Sequence, residues 1–153
     1  CALRLTNTYG PGMRVKDARQ TFLGIWIHNL IQGLPIKIFG DGQQVRDFNY
    51  IDDVVEAMLI AAIAAEADGE VFNLGNMEYI NLKDLAELMI EIYGEGHYDI
   101  VPFPPDRKII DIGDYYGSFD KIKGTLGWSP CVLLREGVQK TLEYYAQYGE
   151  HYW

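Results

Sequence analysis

Apolar positions along this chain recur with two periods, one close to two residues and one close to three and a half. The first run, Ala2, Leu3 and Leu5, predicts a buried strand over residues 2–6. Leu23, Trp26, Ile27, Leu30 and Ile31 then fall at helical spacing and predict a helix over residues 19–32, stopped by Gly33. Residues 35–39 predict a short strand closed by the Gly40-Asp41-Gly42 turn. Arg46, Phe48 and Tyr50 alternate with Asp47 and Asn49, as in a strand or an extended segment. Asp53 stands where an N-cap would open a helix reaching Ala67, with Val54, Val55, Met58, Leu59, Ala62 and Ile63 as its core side. Asp68-Gly69 ends that helix, and residues 71–74 read as a strand. Asn81 caps a helix that turns Leu82, Leu85, Leu88, Met89 and Ile92 inward and ends at Gly94. A strand over residues 98–103, a short helix over 118–126 and a last helix over 134–148, with Val138, Leu142 and Tyr145 inward, complete the chain. Leu133 precedes the last helix where a hydroxyl or Asx cap would serve, so its first turn is expected to fray.

The pattern is α/β with short strands. It lacks the regular βαβ spacing and the Gly-rich phosphate loop of a complete dinucleotide-binding unit. Gly75-Asn76-Met77 follows a strand, but its glycine stands alone and takes no cofactor role. With 153 residues and no repeat or low-complexity tract, residues 1–153 are expected to form one domain. The hydrophobic content of 48% and charged content of 23% are those of a soluble globular protein. A net charge of −9 argues against nucleic acid or an anionic membrane as partner, but leaves room for a small anion held by a few local cations. No apolar run is long enough to span a membrane and no signal peptide is visible. Cys1 and Cys131 lie far apart and suggest no disulfide framework, so a reducing cytoplasm is the expected setting. His28, His97 and His151 have no metal-ligand spacing, and mid-helix His28 reads as a surface residue.

Several stretches carry candidate chemistry. Asn7-Thr8-Tyr9-Gly10-Pro11 follows the first strand, where open α/β sheets place ligand groups; Asn7 either ties down the turn or offers its amide to a ligand oxygen. Arg46 follows the Gly40-Asp41-Gly42 turn and can present a planar fork to phosphate oxygens; the alternative is a surface ion pair with Asp41 or Asp47. Phe39 is either a base-stacking ring or a core residue closing its strand. Arg107 and Lys108 form a second basic site. Gln20 and Thr21 open the first helix, whose N-terminus favours anions. The Asp52-Asp53 pair reads as helix-terminal charge and capping rather than as an acid–base pair.

Asn7-Thr8-Tyr9-Gly10-Pro11, then Gly40-Asp41-Gly42-Gln43-Gln44-Val45-Arg46-Asp47-Phe48-Asn49-Tyr50-Ile51-Asp52-Asp53-Val54, resemble the carboxyl-terminal half of the extended short-chain dehydrogenase/reductase family, the NAD-dependent nucleotide-sugar epimerases and dehydratases. Leu126-Gly127-Trp128-Ser129-Pro130, followed by Glu136-Gly137, is similar to that family's closing signature. The resemblance implies a small substrate-binding domain with the last strand of the Rossmann sheet at its start and the Gly-rich half absent. It implies that Asn7 and Arg46 contact a substrate diphosphate, that Phe39 lies against the nucleotide base, and that the turn of Gln20 and Thr21 touches the nucleotide. The family's second arginine stands three residues before an Asp; counting back from Asp111 gives Lys108, with Arg107 the alternative. The first strand, through Arg4, Leu5 and Thr6, would flank a nicotinamide. The implied activity is that of an NAD- or NADP-dependent epimerase or dehydratase on a nucleotide diphosphate sugar, through a 4-keto intermediate.

The family's Tyr-x-x-x-Lys pair and cofactor loop belong to its other half, so no catalytic residue is assigned here. Tyr79 and Lys83 have the spacing, but Asn81 opens a helix between them. The chain alone is therefore expected neither to hold the cofactor nor to turn over substrate. A homo-oligomer is expected, and the strand at Ala2–Thr6 is expected to lack a partner strand within this sequence. The competing reading, from a different class, is a non-catalytic binding or interaction module that keeps this fold.

Overall fold

The computed structural model describes residues 1–16, 21–109 and 111–153, with Asp106 and Arg107 described by their backbone alone. Its elements in chain order are β1 (Ala2–Leu5), β2 (Asn7–Tyr9), α1 (Phe22–Ile31), β3 (Ile36–Phe39), β4 (Val45–Tyr50), α2 (Ile51–Ile63), β5 (Val71–Leu74), β6 (Tyr79–Asn81), α3 (Leu82–Tyr93), β7 (Tyr98–Val101), α4 (Pro105–Lys108), α5 (Asp120–Leu126) and α6 (Leu134–Tyr148). The strands form three small sheets: β1 with β5, β2 with β4 and β6, and β3 with β7. All pairs are parallel except β4 with β6.

The first strand does have a partner. β1 runs parallel to β5 from Ala2 opposite Val71 to Leu5 opposite Leu74, which corrects the expectation of an unpartnered strand. The extended chain also continues past Thr6. Asn7–Tyr9, expected as a turn, leaves β1's sheet and pairs with β4 instead. Sequence shows the apolar run but not the hand-over from one sheet to another, because each partner comes from far along the chain.

Helix α1 starts at Phe22, with Thr21 as its N-cap: the Thr21 hydroxyl accepts from the Gly24 amide at 3.4 Å. Leu23, Ile27 and Leu30 drive its inner face into a core shared with Leu85, Ala86 and Met89 of α3 and Val138, Leu142 and Tyr145 of α6. Asn81 caps α3 as expected, accepting from the Asp84 amide at 2.8 Å. The first turn of α6 does not depend on Leu133: the Glu78 carboxylate accepts from the Leu134 amide at 2.6 Å, a cap supplied from another element. Gly137, in the same turn, admits the buried Tyr9 ring, whose hydroxyl a Cβ there would strike.

Further expectations change. Asp53 does not cap α2. The helix begins at Ile51 after Tyr50, and Asp53 is buried in its first turn. There its carboxylate accepts from the Val132 amide at 3.0 Å, while its carbonyl accepts from the Trp128 indole at 2.9 Å. The helix also ends at Ile63, before a separate 3₁₀ turn at Ala65–Ala67. Its predicted core side is exposed: Val54 is buried, but Val55, Met58, Leu59 and Ile63 lie 44%, 45%, 64% and 88% exposed. The buried face is instead Val54 and Ala57, packed in a second core with Phe72, Leu74, Ile122 and Trp128. His28, read as a surface residue, is half-buried under Trp153, ring to ring at 5.0 Å.

Candidate functional site

A cavity of about 420 Å³ opens between α1, the ends of β3 and β4, the start of α3 and the segment after α4. Phe22 and Trp26 of α1, Phe39 at the end of β3 and Phe103 beyond β7 supply its aromatic lining. Asn7, Gln44, Arg46 and Asp111, with Asn29 and Lys37, supply its polar lining.

The aromatic lining follows from the spacing of α1. Phe22, Ile25, Trp26 and Asn29 fall three or four residues apart on a face next to the core-facing Leu23, Ile27 and Leu30. Polar atoms on this face are already used: the Trp26 indole donates to the Lys37 carbonyl and the Asn29 amide to the Pro35 carbonyl, each at 3.1 Å. The two bonds fix α1 to the start of β3. Phe39 is partly exposed and sits 5.7 Å from Phe103, ring centre to ring centre, at 47°. It is thus a wall ring and not a core residue.

The polar lining is set by the Gly40–Gly42 turn. Gly42 has φ +73°, in the left-handed region, and a Cβ there would press on Ile38 at 2.8 Å. The turn delivers β4 so that Arg46 points into the cavity. Arg46 pairs with neither Asp41 nor Asp47. Its guanidinium donates to the carbonyls of Val45, at 2.8 Å, and Gly113, and reaches the Asp111 carboxylate at 3.4 Å. Asn7, which opens β2, lines the cavity and donates its amide to the Asp47 carbonyl at 2.9 Å. The Gln44 side-chain oxygen is buried and has no partner among the described residues.

Of the residues singled out in the sequence, Asn7, Phe39 and Arg46 meet at this cavity. Thr21 caps α1 beside it without lining it. Lys108 ends the short α4, exposed and outside the lining. Gln20 and the side chain of Arg107 lie outside the described residues. Arg4 and Leu5 are exposed on β1, and Thr6 gives its hydroxyl oxygen to the Asn49 amide at 2.9 Å. These three line no part of the cavity, and no cofactor contact follows from their placement. The sequence reading missed Phe22, Trp26, Phe103 and Gln44 as wall residues. The second stripe on α1 was the available signal for Phe22 and Trp26. Among the described residues no cluster of His, Cys, Asp and Glu could hold a metal ion, and no helix is long and apolar enough to cross a membrane.

The model of the NAD dependent epimerase/dehydratase family matches residues 1–75, which include Asn7, Phe39, Arg46 and the turn between them. The first half of the chain is thus that of an NAD dependent epimerase/dehydratase family protein. Among epimerase/dehydratase relatives, it is 32% identical over 152 residues to UDP-glucuronic acid decarboxylase 1 of Xenopus tropicalis, covering 97% of this chain and 34% of that protein. It is 30% identical over 146 residues to dTDP-4-dehydro-6-deoxyglucose reductase of Escherichia coli, covering 93% of this chain and 43% of that protein. The solved UDP-glucose 4-epimerase of Thermotoga maritima, with UDP-glucose, matches at a TM-score of 0.86 and 34% identity, over 95% of this chain and 45% of the epimerase. The UDP-glucuronic acid 4-epimerase of Bacillus cereus, in complex with UDP-glucuronic acid and NAD, matches at 0.80 and 29% identity, over 95% of this chain and 45% of its own. The chain thus spans between a third and a half of the length of these epimerase/dehydratase relatives.

Proposed function

We propose that this chain is the substrate-binding part of an NAD-dependent epimerase or dehydratase, a single domain that holds the nucleotide diphosphate of a nucleotide sugar. The observation that carries the reading is that Asn7, Phe39 and Arg46, far apart in sequence, meet around one cavity lined by both aromatic rings and a guanidinium. A base fits the aromatic lining, where Phe39 and Phe103 offer ring faces. A diphosphate fits the polar lining, where Arg46 gives a rigid fork and Asn7 an amide. The unpartnered Gln44 oxygen is an acceptor for a base N–H or a ribose hydroxyl. The Asp111 carboxylate that now holds Arg46 at 3.4 Å must yield part of the guanidinium to the ligand. NAD, when bound by such an enzyme, supplies hydride transfer. The residues here are assigned binding roles and no step of that transfer. Relatives bearing the names UDP-glucose 4-epimerase and UDP-glucuronic acid 4-epimerase support uridine diphosphate sugars as the first substrates to try.

Calorimetric titration with UDP and with uridine tests the reading. Arg46→Lys keeps the charge and loses the fork, and a charge-assisted hydrogen bond is worth about 1.5–3 kcal/mol. UDP affinity should fall roughly tenfold to a hundredfold, and uridine affinity should stay the same. Equal UDP affinity in the wild type and Arg46→Lys would sink the diphosphate clamp.

A further inference from the structure

Asp47 is among the least accessible groups in the molecule, yet it is charged and stands next to Arg46 on β4. One carboxylate oxygen accepts from the backbone amides of Gly117, at 3.0 Å, and Asn76, at 3.2 Å. The other makes no well-formed hydrogen bond among the described residues. Burial raises this carboxyl above its ordinary range, and the Gly117 and Asn76 amides, its own amide and the Thr6 hydroxyl pull it back.

The bonds tie together everything proposed to touch phosphate. Gly117 closes the segment that carries Asp111 and Gly113, both on the Arg46 guanidinium. The same segment is laced to β4 by Asp114, which accepts from the Val45 amide at 2.8 Å, and by Tyr115, whose amide donates to the Val45 carbonyl at 3.0 Å. Asn7 is held by the Asp47 backbone carbonyl. Asn76 in turn donates to the Phe48 carbonyl at 2.8 Å, fixing the loop after β5 against β4. Gly75 in that loop lies so close to Gly117 that a Cβ on Gly75 would collide with the Gly117 carbonyl oxygen. Asp47 itself lines no part of the cavity.

We propose that the Asp47 carboxylate is a positioning group for the diphosphate site, acting through the 111–117 segment and Arg46; this rests on the function proposed above. A buried carboxylate binding two backbone amides fixes a loop with little freedom, and small misplacements of binding groups are costly. Asp47→Ala removes the anchor. Asp47→Asn can keep it: with the amide nitrogen at the other position, its oxygen still accepts from Gly117 and Asn76.

The test is titration of the chain with UDP and with uridine, well below each variant's melting temperature. Asp47→Ala should weaken UDP binding at least about tenfold and leave uridine unchanged, while Asp47→Asn should stay within about twofold of the wild type. In the Arg46→Lys/Asp47→Ala double variant the losses should combine to less than their product, because both act on one guanidinium. Gly117→Ala, whose Cβ would meet Thr6 at 3.2 Å, displaces the anchor without touching Asp47 and should reproduce the selective loss even if Asp47→Ala does not fold. A merely structural Asp47 would lower the melting temperature and leave UDP affinity intact, or weaken UDP and uridine alike; either result overturns the proposal. Independent, multiplying losses in the double variant overturn it too. Should the wild type bind no UDP, the proposed function itself fails; wild-type binding with unchanged variants defeats the positioning role alone.

Discussion

Helices α1 and α2 carry equally clear apolar stripes, and the fold uses them in opposite ways. In α1 the stripe of Leu23, Trp26, Ile27 and Leu30 is buried, and its flank of Phe22 and Trp26 also walls the cavity. In α2 the broad stripe of Val55, Met58, Leu59 and Ile63 faces outward, and the narrow Val54–Ala57 face is the one that packs. Periodicity reports that a face is apolar. It does not report what covers it. Helix α1 packs against α3 and α6 through Leu23, Ile27 and Leu30, whereas α2 offers only Val54 and Ala57 to the core of Phe72, Leu74, Ile122 and Trp128. A helix apolar on both sides has more to bury than this chain covers.

The sharpest way to break that contrast is to truncate both sides. Met89 of α3, fully buried in the core that α1 joins, should cost about 2–5 kcal/mol as Met89→Ala. Leu59, 64% exposed on α2, should change stability by no more than about 0.5 kcal/mol as Leu59→Ala. Urea unfolding of both variants reads the difference. A Leu59→Ala loss comparable with that of Met89→Ala would mean that the α2 stripe is buried in solution.

The parts of the molecule legible in the sequence are those set by neighbours along the chain. Asn81 caps α3, Gly42 makes the turn before β4, and the strings around Asn7 and Arg46 mark the two strands that reach the cavity. The parts that were not legible depend on residues brought together from a distance. Glu78 caps α6 from 56 residues away, and Asp47 finds Gly117 across 70. The alternative to a phosphate-binding Arg46 was an ion pair with its sequence neighbours Asp41 or Asp47, and the carboxylate it meets is instead Asp111. Alternation on a strand explains why Asp47 is no partner: it points to the opposite face of β4 from Arg46. Asp53 misled, since an Asp before an apolar run looks like a cap until its partner, Val132, is known.

The second contrast lies in surface behaviour. The α2 stripe and β1, where Leu5 is 42% exposed, present apolar groups and a strand edge that is unpaired among the described residues. Concentration-dependent self-association should follow, and the double variant Leu59→Lys/Ile63→Lys should suppress it without lowering stability by more than about 0.5 kcal/mol per site. Light scattering across a wide concentration range measures both chains. A wild type that stays monomeric throughout would show that this face does not adhere to copies of itself.

The smallest effect belongs to the α6 side of the main core, and it is one of pH. Tyr145 is fully buried, and its hydroxyl donates to the Met13 carbonyl at 2.5 Å, tying α6 to the loop before α1. Tyr145→Phe should cost about 0.5–1.5 kcal/mol at neutral pH, the worth of one hydrogen bond. Burial pushes the Tyr145 hydroxyl above its ordinary value near 10, and the neighbouring Tyr152 and Tyr144 push it further the same way. A group whose pKa is higher in the folded chain than in the unfolded one keeps its proton longer when folded. Above about pH 10 the unfolded chain has lost that proton and the folded chain has not, so stability falls as pH rises. The phenylalanine variant has no proton to lose at this position. The stability gap between wild type and Tyr145→Phe should therefore narrow between neutral pH and about pH 11. Tyr9, also buried and shifted upward, remains in both chains, so the variant should still lose some stability in alkali. Urea unfolding at the two pH values measures the gap, and a gap that stays constant would show that Tyr145 ionises no later in the folded chain than in the unfolded one.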